Sequence, residues 1–193
     1  MPKTIRVIHY LNQFFAGLGG EEKAGVGVMW FDGPRGPGRL LEQVAPEFEV
    51  VTTIAAGDNF MAENLTAGAE EIVALIESHL TAGGERPNLL IAGPAFNAGR
   101  YGMACAVVCR AVQDRLGVSA VTALYEENPA VENYRRAVSI VRAGHDVMDM
   151  RASIQRLANA GRKLVRGDVL SPSEDDVFAR GVRQNYFAES SGA

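Results

Sequence analysis

Two cysteines, three histidines and one tryptophan are all that 193 residues hold of these types. Two cysteines cannot staple a chain of this length, and Cys105 and Cys109 stand one turn apart on an expected helix, where a regular backbone orients the pair badly for a disulfide. That scarcity points to a reducing, cytoplasmic setting. No two histidines have ligand spacing, which leaves a zinc site weakly supported. Long apolar runs are also missing. Nothing approaches the ~18 residues of a membrane span, and the basic start MPKTIRVIHYL enters a short strand without the apolar stretch and cleavage site of a secretory signal. Nor is there an excess of positive charge: 19 Lys and Arg against 23 Asp and Glu leave a formal charge of −4. The basic residues are scattered apart from a modest cluster between Arg151 and Arg166, which argues against nucleic acid as a partner. What remains is 47% apolar and 22% charged residues, the composition of a soluble globular protein long enough for one domain with a real core.

Strand-like and helix-like segments alternate. Residues 5–11 (IRVIHYL), 48–55 (FEVVTTIA), 89–92 (LLIA) and 120–125 (AVTALY) read as strands. Leu65, Ala69, Ile72, Val73, Ile76 and Leu80 recur at helical spacing, with Asp58 or Asn59 as the expected N-cap. A second helix spans 98–116, with Tyr101, Ala104, Cys105, Val108, Val112 and Leu116 on one stripe. Two more are expected over 131–143 and 147–166. The alternation predicts an α/β fold, a three-layer, doubly wound sandwich whose mostly parallel sheet of four or more strands is flanked by helices. The whole of 1–193 reads as a single domain, with 167–193 an irregular tail that wraps the surface or docks on a partner. Segment 26–43 (VGVMWFDGPRGPGRLLEQ) reads as aromatics around a Gly-rich turn that shape the pocket or form a docking surface.

In such sheets ligands sit beyond the carboxyl ends of the strands, where strand order reverses. The loops after the first, third and fourth expected strands are therefore predicted to meet at one edge. The first, residues 9–24 (HYLNQFFAGLGGEEKA), combines Asn12, Gln13, Glu21 and Glu22 with Gly17, Gly19 and Gly20, which let the chain approach a ligand closely. The second, 92–102 (AGPAFNAGRYG), places Asn97 at an expected helix cap with Arg100 and Tyr101 in the first turn, a setting that favours a carboxylate or phosphate. An ordinary capped junction reads equally well. The third, 125–129 (YEENP), offers Glu126, Glu127 and Asn128 as base, amine binder or metal ligand, or as a plain solvated turn. Cys105 is either a nucleophile with a lowered pKa or a small packing residue.

Together HYLNQFFAGLGGEEKA, AGPAFNAGRYGMAC, YEENP and the terminal RGVRQNYF closely resemble, from His9 to Phe187 and in the same order, the N-terminal half of component B of the glycine, sarcosine and betaine reductases. The resemblance implies an oxidoreductase subunit that handles a small amino acid or amine in a reductive deaminating complex, beside a pyruvoyl-bearing partner. It implies C–N cleavage by a selenolate, with selenocysteine and neighbouring cysteines in a second half that follows RGVRQNYF. No such motif occurs in these 193 residues. The expectation is a heteromeric, cytoplasmic protein whose partner supplies the redox Cys or selenocysteine, with no membrane and no nucleic acid. Catalytic roles fall to Glu21, Glu22, Glu126 and Cys105; substrate contacts fall to Asn12, Gln13, Gly19, Gly20, Asn97, Arg100, Tyr101 and Asn128. The alternative is a metal enzyme of sulfur or nitrogen transfer, using His9, Glu22 and Glu126 as ligands. A further alternative is a non-catalytic scaffold subunit.

Overall fold

A computed structural model describes residues 4–181. It contains a six-stranded sheet of β1 (Ile5–Asn12), β2 (Met29–Asp32), β3 (Phe48–Ala56), β4 (Leu89–Phe96), β5 (Ser119–Leu124) and β6 (Ser139–Arg142), in spatial order β2-β3-β1-β4-β5-β6. All neighbours are parallel except β2, which runs antiparallel to β3 at the edge. With β2 set aside, the strand order is that of a flavodoxin-like doubly wound sheet, and it reverses between β1 and β4.

Helices cover both faces. On one lie α1 (Pro37–Val44) and α6 (Met150–Arg166), packed on Val7, Val50, Ile91, Val121 and Val141. On the other lie α2 (Asp58–Glu63), α3 (Leu65–Thr81), α4 (Gly99–Leu116) and α5 (Pro129–Tyr134), packed on Ile8, Tyr10, Ile54, Leu90 and Ile140. The central strands are buried on both faces, which is why they read as continuous apolar runs rather than as alternating ones. The apolar faces of α3, α4 and α6 are buried, α3 against α4 and α2.

Four local expectations need correction. The helix expected over 131–143 stops at Tyr134, and Val138, Ile140 and Val141 belong to a buried edge segment that includes β6. Their β-branched side chains suit a pleated surface better than a helix interior. Segment 26–43 is not simply a turn: it forms β2 and enters α1, with Pro37 in the first turn, where its missing N–H matters least. The residue flanking the start of α3 is Asn64, and Asp58 instead begins the short α2. Ala98, not Asn97, flanks the start of α4.

Within the expected tail, α7 (Pro172–Asp175) is followed by an antiparallel bridge from Val177 to Val141. Phe178 N donates to Ile140 O at 2.8 Å, so this stretch covers the outer side of β6. Residues 182–187 of RGVRQNYF lie outside the described residues. Among the described residues no helix is long and apolar enough to cross a membrane.

Candidate functional site

The carboxyl ends of the strands bring the three loops together, as the topology requires. Phe15, on the loop after β1, sits over the crossover between β1 and β4, its ring centroid 6.2 Å from that of Phe96 and 5.9 Å, stacked, from that of Tyr101. The loops after β4 and β5 are pinned by Asn128, whose Nδ2 donates to Phe96 O (3.1 Å) and Ala98 O (3.2 Å). Its Oδ1 accepts from Ala130 N, which caps α5. Tyr125 N also donates to Phe96 O, at 3.0 Å.

Two further loops join the same edge, and sequence reading missed both. Directly after β3, Asp58 takes a hydrogen bond on Oδ2 from Asn12 Nδ2 (3.0 Å), while Asp58 N donates to Gln13 Oε1 (2.9 Å). Asn12 Oδ1 in turn accepts from Phe15 N (2.9 Å). After β6, His145 accepts on its backbone O from Asn97 N (3.2 Å), and its Nε2 lies 3.3 Å from Asn97 Nδ2. The available signals were an acid immediately after the apolar run of β3, and a histidine after the β-branched run of β6.

Arg100, in the first turn of α4, reaches back across the crossover. Its guanidinium donates to Asn59 Oδ1 and stands 3.4 Å from Glu21 Oε1. Both Arg100 and Glu21 are largely exposed, so this pair contributes little to stability and an incoming carboxylate can displace Glu21. Glu22 folds back on its own loop: Gly20 N donates to its Oε1 (2.9 Å), and amide hydrogen bonds hold its pKa below the usual carboxylate value. A Cβ on Gly19, whose φ is +144°, would stand 2.5 Å from Glu22 Oε1, so glycine there is what lets the loop close on itself. Glu126 pairs with Arg142 of β6 at 3.7 Å.

Electrostatics separate the carboxylates. Asp58 is half-buried, and that burial raises its pKa against the opposing pull of Asn12, Arg100 and Gln13. Beneath it, Tyr10 and Tyr101 are fully buried with raised pKa values, chiefly through burial, and the Tyr101 hydroxyl has no hydrogen-bond partner.

Several expected site residues take other places. Cys105 is fully buried; burial first, then Cys109, pushes its pKa well up, the reverse of a nucleophile primed by a helix start. Tyr101 lies beneath Phe15 rather than on the open edge, and Asn128 uses both ends of its amide to pin loops. The alternative metal ligands His9, Glu22 and Glu126 do not converge. His9 is buried within β1, where Nε2 carries the proton to Gly93 O (2.7 Å) because a carbonyl can only accept. Its Nδ1 has no partner, and a Cβ on Gly38 of α1 would stand 3.1 Å from it. Among the described residues no group of three or more His, Cys, Asp or Glu side chains is gathered in a metal-binding arrangement.

The edge therefore presents a cation at a helix start, a network of amides, and carboxylates beside them, without an accessible thiol. That inventory suits a small zwitterion. The same loops carry the likeness to known proteins. No solved structure matches the chain. It is 45% identical over 190 residues to the glycine reductase complex component B subunit gamma of Carboxydothermus hydrogenoformans, covering 97% of this chain and 42% of that protein. It is 39% identical over 193 residues to the sarcosine reductase complex component B subunit beta of Peptoclostridium acidaminophilum (99% and 43%), and 32% identical over 185 residues to that organism's betaine reductase complex component B subunit beta (95% and 41%). The chain thus spans less than half the length of these curated relatives. The family model of glycine/sarcosine/betaine reductase selenoprotein B matches residues 4–193, and with the crossover edge built from the very motifs that carry the resemblance, this chain belongs to that family.

Proposed function

We propose that this chain is the substrate-handling part of a reductase complex of the glycine, sarcosine and betaine type. It holds a small amino acid or related amine at the crossover edge of its sheet, while a thiol or selenol from outside the described residues displaces the nitrogen. The observation that carries this reading is the convergence of Asn12, Gln13, Asn97, Arg100 and Glu21 at one edge, together with the burial of both cysteines. Displacing an amine from carbon needs a nucleophile, and a buried thiol with a raised pKa is a poor one. Arg100 and the N–H groups of the first turn of α4 take the carboxylate. Gly19 and Gly20 close the loop that carries Glu21, which leaves Arg100 when the carboxylate arrives. The redox Cys or selenocysteine and any pyruvoyl group belong to a partner subunit or a further part of the protein, and the working assembly is heteromeric.

The test is to purify the intact protein from its native source, alkylate it without denaturant and identify modified sites by mass spectrometry. The expected result is a co-purifying or attached segment with a reactive thiol or selenol, and loss of amine release from glycine, sarcosine or betaine once it is alkylated. A preparation that contains only Cys105 and Cys109 as thiols yet still releases amine contradicts the proposal.

A further inference from the structure

Asp58 is placed as no simple helix-start acid needs to be. Its amide is fixed by Gln13 and its Oδ2 by Asn12, two carboxamides from the loop after β1. That loop is docked beside it: Ala24 O accepts from Asn59 N (2.8 Å) and Phe60 N (3.1 Å), and a Cβ on Gly57 would stand 2.1 Å from the same carbonyl oxygen. Despite being half-buried, Asp58 has no salt-bridge partner among the described residues, because the guanidinium nearest in influence, Arg100, is engaged by Asn59 and Glu21. A carboxylate drawn from water without a cation is an unfavourable arrangement unless something supplies the positive charge. The fully buried Tyr101 hydroxyl also lies against this network, beside the backbone of Asn12.

We propose that Asp58 contacts the cationic nitrogen of the ligand at this edge, with Asn12 and Gln13 as positioning residues that aim it, and with Arg100 taking the carboxylate. The inference rests on the amino acid reading above and sharpens it. The nitrogen is held by a rigid, half-buried acid on the β3 side of the crossover, rather than by the exposed glutamates. Ligands with N–H groups donate to Oδ1, whereas a quaternary ammonium has only charge to offer; the site therefore favours primary and secondary amines over quaternary ones.

The experiment is an NMR shift titration of the intact protein with glycine, sarcosine, betaine and acetate, repeated on Asp58→Asn, Asn12→Ala and Arg100→Ala. Asp58→Asn is expected to weaken glycine and sarcosine by roughly tenfold or more, the scale of a charge-assisted hydrogen bond, to weaken betaine less, and to leave acetate unchanged or tighter. Arg100→Ala weakens all four. Asn12→Ala falls between wild type and Asp58→Asn for the two amines and leaves acetate alone, which a merely structural role would not do. Should Asp58→Asn fail to fold, the pH profile of the wild type decides. As pH falls from 7, glycine and sarcosine keep their charge while Asp58, its pKa raised by burial, takes up a proton before an ordinary aspartate does, so their affinity falls. The groups facing Asp58 are Tyr10 on β1, Tyr101, Cys105 and Arg100 on α4, and Glu21 on the first loop; Glu21→Gln removes the other carboxylate among them and leaves the fall in place. Glycine binding that survives Asp58→Asn but is lost in Arg100→Ala overturns the role of Asp58 while sparing the amino acid reading. A wild type that binds none of the four overturns both.

Discussion

At the residue scale, His9 shows how burial sets a titration. Its imidazole is fully buried, and desolvation, opposed by the hydrogen bond to Gly93 O, lowers its pKa from 6.5 to about 4. The folded state thus keeps His9 neutral at pH values where the unfolded chain protonates it. Its contribution is complete above pH 6.5 and is lost as pH falls from there toward 4, by up to about 3 kcal/mol at ~1.4 kcal/mol per tenfold change in proton affinity. Urea denaturation from pH 7 to 4 is expected to show this fall, and His9→Gln is expected to flatten that part of the profile whatever its effect at pH 7. An unchanged slope in the variant would show that other groups carry the acid sensitivity. His9 stands alone in the apolar run IRVIHYL, which places it inside a central strand. Asp58 was not recognised as a site residue, because its place depends on Asn12 and Gln13, 46 and 45 residues away in sequence.

At the scale of elements, the crossover edge is assembled by small residues at close approaches. Gly102 in α4 faces Asn128: a Cβ there would lie 2.1 Å from Asn128 Nδ2 and 2.6 Å from its Oδ1. Gly102→Ala is therefore expected to destabilise by about 1–3 kcal/mol, the usual scale of overpacking. It also unpins the loop after β5, read as faster hydrogen exchange at the Tyr125 and Ala130 amides. Gly99→Ala, with nothing within 4 Å of the added carbon, is the control and is expected to leave those amides alone. Protected amides in Gly102→Ala would mean that Asn128 does not hold the two loops together. Elements with long periodic stripes, such as α3, α4 and α6, were legible because one helical face must be apolar. β2, α1 and β6 were not recognised. They have four, eight and four residues, too few to establish a period, and each is fixed by the sheet edge or helix it packs on.

For the whole molecule, strand order matters more than any single loop. The reversal between β1 and β4 places five loops at one edge, and the sequence allowed this to be foreseen for three of them because alternating strands and helices imply a parallel sheet. The opposite edge is different in character. There a cavity of about 470 Å³ is lined by Thr4, Ile5, Glu47, Asn88, Arg162 and Val165, near the amino ends of β1, β3 and β4. Its lining surface is mostly carbon, and its two guanidiniums, those of Arg162 and Arg166, are already engaged by Glu47 and Asp168. Size alone would favour that cavity; topology and polar chemistry favour the crossover edge. The deciding measurement is a residue-resolved amide shift map of the protein titrated with glycine and sarcosine. Saturable shifts centred on Asn12, Gln13, Asp58 and Arg100 are predicted. Shifts centred instead on Thr4, Glu47, Asn88 and Arg162, or no saturable shifts at all, would contradict the account.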